Sequence, residues 1–317
     1  MPDKSPTFCF LLFDGFSNMV LASALEPLRV AHGLPTGPDF TWETASVFDQ
    51  PVQSSSGLQI TPSLALAEVK SVDYLILVSG YGVRQHATPE VFLKLHQLRN
   101  ITRHIVGIDT GAWLMAEAGF LEGHEATIHW QEMNAFGERF PNVKLSEDRF
   151  VQSGNHITCG GASTVMDMIL KLIQDQYGAA LAFDVSNMFV FDVNWKFGIN
   201  QGAGLMKTAG SPALRAAVNT MADNIEHPIS LSDIADATST SLRSLNRIFL
   251  NELQMPPGKY YQLLRLTRAR DMAVETHLSV IQIALLTGFS SASALSRAFS
   301  MHYKMRISSV RKRKLVL

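Results

Sequence analysis

The chain has 317 residues, 46% of them hydrophobic and 17% charged, with two cysteines. A single core usually stops growing near about 250–300 residues, so this length implies two domains. The composition excludes a disordered chain, two cysteines exclude a disulfide scaffold, and no apolar run nears the roughly 18 residues that span a bilayer.

The opening residues hold one lysine and an apolar stretch too short for a secretory signal, so a soluble, cytoplasmic protein with no membrane partner is expected. The net charge of −1 conceals an asymmetry: residues 1–217 carry 14 basic against 21 acidic side chains, and residues 218–317 carry 13 against 7. A basic tail on an acidic body points to a polyanion partner for the tail alone. Its closing run, Arg311-Lys312-Arg313-Lys314, reads by itself as a solvated tail.

In chain order, Phe8–Phe13, Thr44–Phe48, Tyr74–Val78 and Ile105–Ile108 read as strands. Three of them are nearly all apolar, as in a parallel sheet covered by helices on both faces. Helical patterns cover Asn18–His32, where Pro27 is a candidate kink, and then Pro89–Arg99, Ala112–Ala118 and Ala162–Asp175. This alternation predicts a doubly wound α/β domain, in which ligands sit beyond the carboxyl ends of the strands. The turns there are Asp14-Gly15-Phe16-Ser17, Ser79-Gly80-Tyr81-Gly82, Asp109-Thr110-Gly111-Ala112 and Cys159-Gly160-Gly161-Ala162. None is a phosphate-binding glycine fingerprint, and the seven histidines before residue 217 show no metal spacing, so neither a cofactor nor a metal is expected.

Residue 109 lies at the bend from strand to helix, where enzymes place an exposed Ser or Cys nucleophile near helix amides. The stretches Asp109–Ala112, Leu114–Gly123 and Ala126–Trp130 carry a family pattern, together with Glu26-Pro27-Leu28 and Thr158–Ala162. Over about residues 8–195 they resemble the ThiJ/PfpI-type, class I glutamine amidotransferase-like domain, in the version at the front of GlxA-like transcriptional regulators. The resemblance implies a flavodoxin-like sheet.

Catalytic members carry a cysteine where this chain has Asp109, so no catalytic residue is assigned and the pocket is expected to bind without turnover. Asp109 acting as a nucleophile itself is the alternative, with no convincing base nearby. Cys159 is expected as a buried core thiol. The resemblance brings Glu26 and Asp109 to one rim with Gly80, Tyr81, Thr110, Trp113, His129 and Trp130 as ligand-binding candidates. Carboxylates beside aromatic faces suit a cation, so an amine, amino acid or betaine-like effector is expected. The competing reading makes both tryptophans core aromatics and Asp109 a helix cap.

Residues 198–212 hold four glycines and read as a linker, and helical pattern resumes at Pro212–Ile225. An internal repeat follows: Leu245–Phe249 and Leu295–Phe299 share L-x-R-x-F, and each comes after an Ile-Ala pair, Ile234-Ala235 and Ile283-Ala284. With Gly288 turning the second copy, this is a duplicated helix-turn-helix. The second helices present Ser241, Arg243, Ser244, Asn246 and Arg247 in one copy, and Ser291, Ser293, Ser296 and Arg297 in the other, as DNA-binding candidates. Ala292 and Ala294 leave the second face few base-reading groups, which points to shape readout there. Between the copies, Pro257–Glu275 reads as a spacer helix with Arg265, Arg268 and Arg270 toward phosphates or water.

The tail resembles the AraC/XylS-type regulator domain along its whole length. The expected organisation is therefore a sensor domain at 1–197, a linker at 198–212 and a DNA-binding domain at 213–317: a flavodoxin-like α/β sheet followed by an all-α double helix-turn-helix. The expected partners are promoter half-sites in double-stranded DNA, a small-molecule effector, a second copy of the chain as a homodimer, and RNA polymerase. Two other readings are an enzyme with an accessory DNA-binding tail and a structural DNA-binding protein whose front domain only dimerises.

Overall fold

A computed structural model describes residues 6–189, 211–253 and 255–310. The chain divides between Ile169 and Leu170 into two compact units, with Gly33–Gly37 belonging to the second.

The first unit begins with β1 (Thr7–Leu12), α1 (Asn18–Gly33), β2 (Thr41–Ser46) and the short pair β3 (Val52–Gln53) and β4 (Gln59–Ile60). It continues with β5 (Val72–Ser79), α2 (Val83–His86), α3 (Pro89–Arg99), β6 (Thr102–Asp109) and α4 (Gly111–Glu117). Then come β7 (Glu125–Ala126), α5 (Met133–Arg139), β8 (Lys144–Leu145), the hairpin β9 (Phe150–Ser153) and β10 (His156–Cys159), and α6 (Ala162–Tyr177), which runs across the division.

The main sheet has the order β2-β1-β5-β6-β10-β9. Every neighbour is parallel except the β9–β10 pair. Leaving out antiparallel β9, this is the flavodoxin-like order, with its switch point between β1 and β5. Phe10, Leu11, Leu75, Leu77, Val106 and Ile108 are buried in the central strands, and each such side chain contributes about 1.5–3 kcal/mol.

All four expected strands and all four expected helices form. The second strand differs, starting at Thr41 and ending at Ser46, because β2 lies at the sheet edge and its first residues alternate between exposed and half-buried. Phe48 is left exposed. Pro27 lies inside α1, which runs on through it. At four residues, Phe150-Val151-Gln152-Ser153, β9 is too short to give a pattern. Its only mark in the sequence is the two-residue turn Gly154-Asn155, where Gly154 takes φ 65°.

The second unit holds α7 (Ala179–Asn187), α8 (Pro212–Asp223), α9 (Leu231–Ala237), α10 (Leu242–Leu253), α11 (Pro257–Glu275), α12 (Val280–Leu286), α13 (Ala292–Tyr303) and α14 (Ile307–Val310). The repeat is deeper than its shared motif. Ser230 with Asp233, and Ser279 with Gln282, form capping boxes at the start of α9 and α12. The turns use left-handed residues at matching places, Ser239 (φ 53°) and Gly288 (φ 68°). Ile234, Ala235, Leu245 and Phe249 of one copy, and Ile283, Ala284, Leu295 and Phe299 of the other, are buried in one core with Tyr260, Leu263 and Leu266 of α11.

Packing divides the chain earlier than the expected boundary at residue 197: Ala180 and Phe183 of α7 belong to the core of the second unit. Most of the expected linker, 198–210, and the basic run at 311–314 lie outside the described residues. Among the described residues no helix is long and apolar enough to cross a membrane.

Gly288 is the tightest turn of the repeat. A Cβ there would clash with the Pro228 ring and lie 2.6 Å from the Ile225 carbonyl oxygen, on a left-handed backbone that disfavours any side chain. Gly288→Ala is therefore expected to lose at least about 2 kcal/mol of stability, measured as a lower melting temperature by calorimetry. Ser239→Gly, at the matching place in the first copy, is expected to lose none.

Candidate functional site

At the carboxyl edge of the sheet, glycines let the backbone turns touch. A side chain at Gly15 would clash with the Tyr81 carbonyl, and the Tyr81 N–H donates to the Gly15 carbonyl at 3.1 Å. A Cβ at Gly111 would lie 2.5 Å from the Leu77 carbonyl oxygen, so only glycine lets α4 start directly against β5. Between these contacts Asp109 takes φ 61°, a left-handed conformation that costs a non-glycine residue about 1–2 kcal/mol. Two bonds hold the bend. The Thr110 hydroxyl donates to the Gly80 carbonyl at 2.8 Å, and the His129 N–H donates to the Asp109 carbonyl at 3.1 Å.

The result is a pocket of about 320 Å³ at the switch point, lined by Ser17, Tyr81, Asp109, Thr110, His129 and Glu132 together with Gly161 and Ala162 at the start of α6. Burial pushes the Asp109 carboxyl up to about 7, and burial also lowers the pKa of His129. Glu132 accepts from Arg84 at 2.5 Å, and that guanidinium stands 4.2 Å over the Trp113 ring. Among the described residues, no Lys or Arg lines the pocket.

Of the expected ligand residues, Gly80, Tyr81, Asp109, Thr110 and His129 line this pocket. Glu26 does not; on α1 it pairs with Arg29, whose Nε lies 2.8 Å away. Trp113 does not line the pocket either: it is buried edge-on against Phe136 and Phe140 with Arg84 on its face. Trp130 is 74% exposed and lines an adjoining hollow of about 470 Å³ with Met19, Met133, Glu147 and Asp148. That hollow shares His129, Gly161 and Ala162 with the pocket. Asp109 is not the cap of α4; that position belongs to Thr110.

The lining residues missing from the sequence reading include Ser17, inside a flagged turn, and Glu132, three residues beyond His129. Glu147 and Asp148 carry no local signal, because only the fold brings them beside Trp130.

On the helical unit, Arg243, Arg247, Ser293 and Arg297 are exposed, and Ser244, Asn246 and Ser296 are half-buried. Two of the candidate serines also cap their helices: Ser241 Oγ accepts from the Ser244 N–H and Ser291 Oγ from the Ala294 N–H, each at 3.1 Å. The Asn246 amide donates to the Leu242 carbonyl at 2.9 Å. The spacer helix corrects an expectation. Arg265 turns inward, donating to the Thr287 carbonyl at 2.8 Å and covering Phe289, and Arg270 is buried against Asp184. Arg268, the third spacer arginine, is half-buried.

Residues 7–175 match the DJ-1/PfpI family, and residues 234–313 match the helix-turn-helix domain. The chain belongs to the DJ-1/PfpI family. It is similar along its length to the HTH-type transcriptional regulator GbdR of Pseudomonas aeruginosa, with 34% identity over 296 residues, 93% of this chain and 81% of that one. It is also similar to the HTH-type transcriptional regulator GlxA of Rhizobium meliloti, at 31% over 307 residues, 96% and 95% of the two chains. A solved AraC family transcriptional regulator from Pseudomonas putida shares the fold, with a TM-score of 0.52 at 24% identity, covering 58% of this chain and 98% of that one. This is a DNA-binding transcriptional regulator, a DJ-1/PfpI domain joined to an AraC-type helix-turn-helix domain.

Neither thiol of this regulator is at the DJ-1/PfpI bend. Cys9 and Cys159 are free and fully buried, and burial pushes their thiols up to about 12 and about 11. A thiolate is the reactive form, so both are expected to resist a thiol-specific chromogenic disulfide at about pH 8 in the native chain and to react at once in denaturant.

Proposed function

We propose that the DJ-1/PfpI domain senses a small cationic or zwitterionic metabolite, of the amine, amino acid or betaine class, and does not turn it over. The observation that carries this reading is the half-buried Asp109 carboxyl at a strained bend, in a pocket lined, among the described residues, by no Lys or Arg. With Glu132 already neutralised by Arg84, Asp109 is the negative charge left to a ligand. A ligand ammonium beside it is attracted strongly because the site is partly dry. The start of α6, which also lines the pocket, suits the carboxylate of a zwitterion. The exposed face of Trp130, with Glu147 and Asp148, extends the same chemistry into the adjoining hollow, where Arg149 also lines the wall and is paired with Asp167. A carboxyl is a weak nucleophile where a family thiolate would act, and both thiols are buried elsewhere, which favours binding without reaction.

On the DNA side, α10 reads one half-site through Arg243, Asn246 and Arg247, with Ser241 and Ser244 at its entry. The second helix, α13, reads the other through Arg297, Ser293 and Ser296, with Ser291 at its start and with DNA shape supplying the rest. A cytoplasmic homodimer on paired promoter half-sites, signalling to RNA polymerase, completes the reading.

The sign of the pH dependence follows from Asp109. Its folded pKa lies above the ordinary carboxylate value, so this group favours the empty fold at low pH, and that contribution fades as pH rises through about 7. A cation needs the ionised form. Affinity for choline or betaine in calorimetry is therefore expected to fall about tenfold per pH unit below about 7 and to level off above about 8. Asp109→Asn is expected to remove both the affinity and the dependence. Stabilisation by succinate or acetate, with none by amines, overturns the cationic reading. For DNA, Arg243→Ala or Arg247→Ala is expected to lose about 1–3 kcal/mol of specific binding, and Arg297→Ala to weaken the distal half-site in footprints.

A further inference from the structure

One buried polar cluster belongs neither to the pocket nor to the recognition faces. Asp184, on α7, is 4% exposed. Its Oδ1 accepts from the Thr267 hydroxyl at 2.8 Å, and its Oδ2 accepts from the Tyr303 hydroxyl at 2.8 Å and pairs with the Arg270 guanidinium. Arg270 also reaches Asp271, with its Nε 2.9 Å from Oδ1. Thr267 and Arg270 are on α11, and Tyr303 is the last residue of the second recognition helix, α13. One side chain thus ties the spacer to the end of that helix. Its position lies outside both matched regions, 7–175 and 234–313.

The apolar surroundings repeat the connection. Phe183 packs edge-on against Tyr260 at 5.3 Å, and Tyr260 against Phe249 of the first recognition helix at 5.4 Å. On the other side, Tyr303 tilts against Phe299 at 4.4 Å. A side chain at Gly178, just before α7, would clash with the His302 carbonyl, so this backbone also sits directly against the end of α13.

We propose that Asp184 is a positioning residue for DNA reading: from α7 it fixes α13 against α11, and so sets the second recognition helix relative to the first. A buried charge cluster is a poor source of stability, because apolar residues of similar volume often replace one without loss. What it supplies is register. Its three partners meet two oxygens in one arrangement, and a slip of α13 along α11 breaks it, whereas apolar contacts tolerate small slides. Two recognition helices must be held about 34 Å apart to enter successive major grooves, so register is what DNA reading requires of this unit.

The inference rests on the DNA-reading function proposed above, and its test separates the two. Duplexes of about 40 bp, long enough for both half-sites, would be enriched from a random pool by the full wild-type chain. Three variants would then be footprinted on them: Tyr303→Phe, Thr267→Val, and Asp184→Leu combined with Arg270→Met. The double variant is expected to melt close to wild type and the two single variants somewhat lower, since each takes one hydrogen bond from the buried carboxylate. Each of the three is expected to protect the α10 half-site fully and to lose protection at the α13 half-site. Affinity is expected to fall at least tenfold on the two-site duplex and to stay unchanged on one bearing the α10 half-site alone. If the double variant fails to fold, the two single variants, which keep the ion pair, decide the matter. Folded variants that protect both half-sites with wild-type affinity, or that weaken both equally, overturn the positioning role alone. A wild-type chain that enriches no duplex overturns the DNA-reading function and this role with it.

Discussion

Parallel strand pairing is the constraint from which the candidate pocket follows. Each parallel neighbour from β2 to β10 requires a crossover, so the exits of β1, β5, β6 and β10 all fall at the same edge. Residues 15, 80, 109 and 161 are far apart in the chain and meet there for that reason alone. Close approach of their backbones then demands glycine at 15 and 111, and it leaves Asp109 the left-handed bend. A strain of about 1–2 kcal/mol at one residue persists only where its neighbours over-determine it. The β5–β6 ladder, which sets Ser79 opposite Asp109, and the Thr110–Gly80 bond do so here. The partly desolvated carboxyl is a consequence of that geometry.

In the helical unit the same kind of argument reduces the charge available to DNA. The basic balance of the last hundred residues includes Arg265, which covers the end of α12, and Arg270, which is buried with Asp184. These two arginines work inside the protein, leaving the exposed guanidiniums of α10 and α13 as the better candidates for DNA. Net charge correctly marks the unit as a polyanion partner but overstates its outward cationic surface.

What was legible in the sequence follows the physics of burial. Strands covered on both faces appear as unbroken apolar runs, so β1 was legible to within a residue and β5 and β6 through their apolar middles, Tyr74–Val78 and Ile105–Ile108, but not to their ends, whereas β9, a four-residue edge strand, was not legible. The helix-turn-helix frame was legible because it occurs twice. Each copy confirms the other, and even the left-handed turn residue recurs, as Ser239 and Gly288. The site was only partly legible. A motif locates Glu26 and Trp113 on the chain without saying which side of a helix each takes. Arg29, one turn along α1, claims the first, and the packing of α4 against Phe136 and Phe140 claims the second. Asp184 sits in a short apolar helix with no motif, and its meaning depends on Thr267, Arg270 and Tyr303, between 83 and 119 residues away.

A sensor signals only through a difference in free energy between its states, and a ligand with equal affinity for both shifts nothing. In the proposed reading, Asp109 supplies such a difference without any large movement. In the empty pocket burial favours the protonated carboxyl, while a bound ammonium favours the carboxylate, so ligand and proton compete for one group. Each unit by which burial raises the carboxyl pKa is worth about 1.4 kcal/mol. Desolvation therefore both weakens cation binding at low pH and sets how strongly the charged ligand stabilises the state that holds it. A cysteine at the same bend, with a thiol largely neutral at pH 7, offers no comparable charge to exchange unless its surroundings first ionise it. On the proposed reading, the aspartate turns a position suited to reaction into one suited to reporting the presence of a cation.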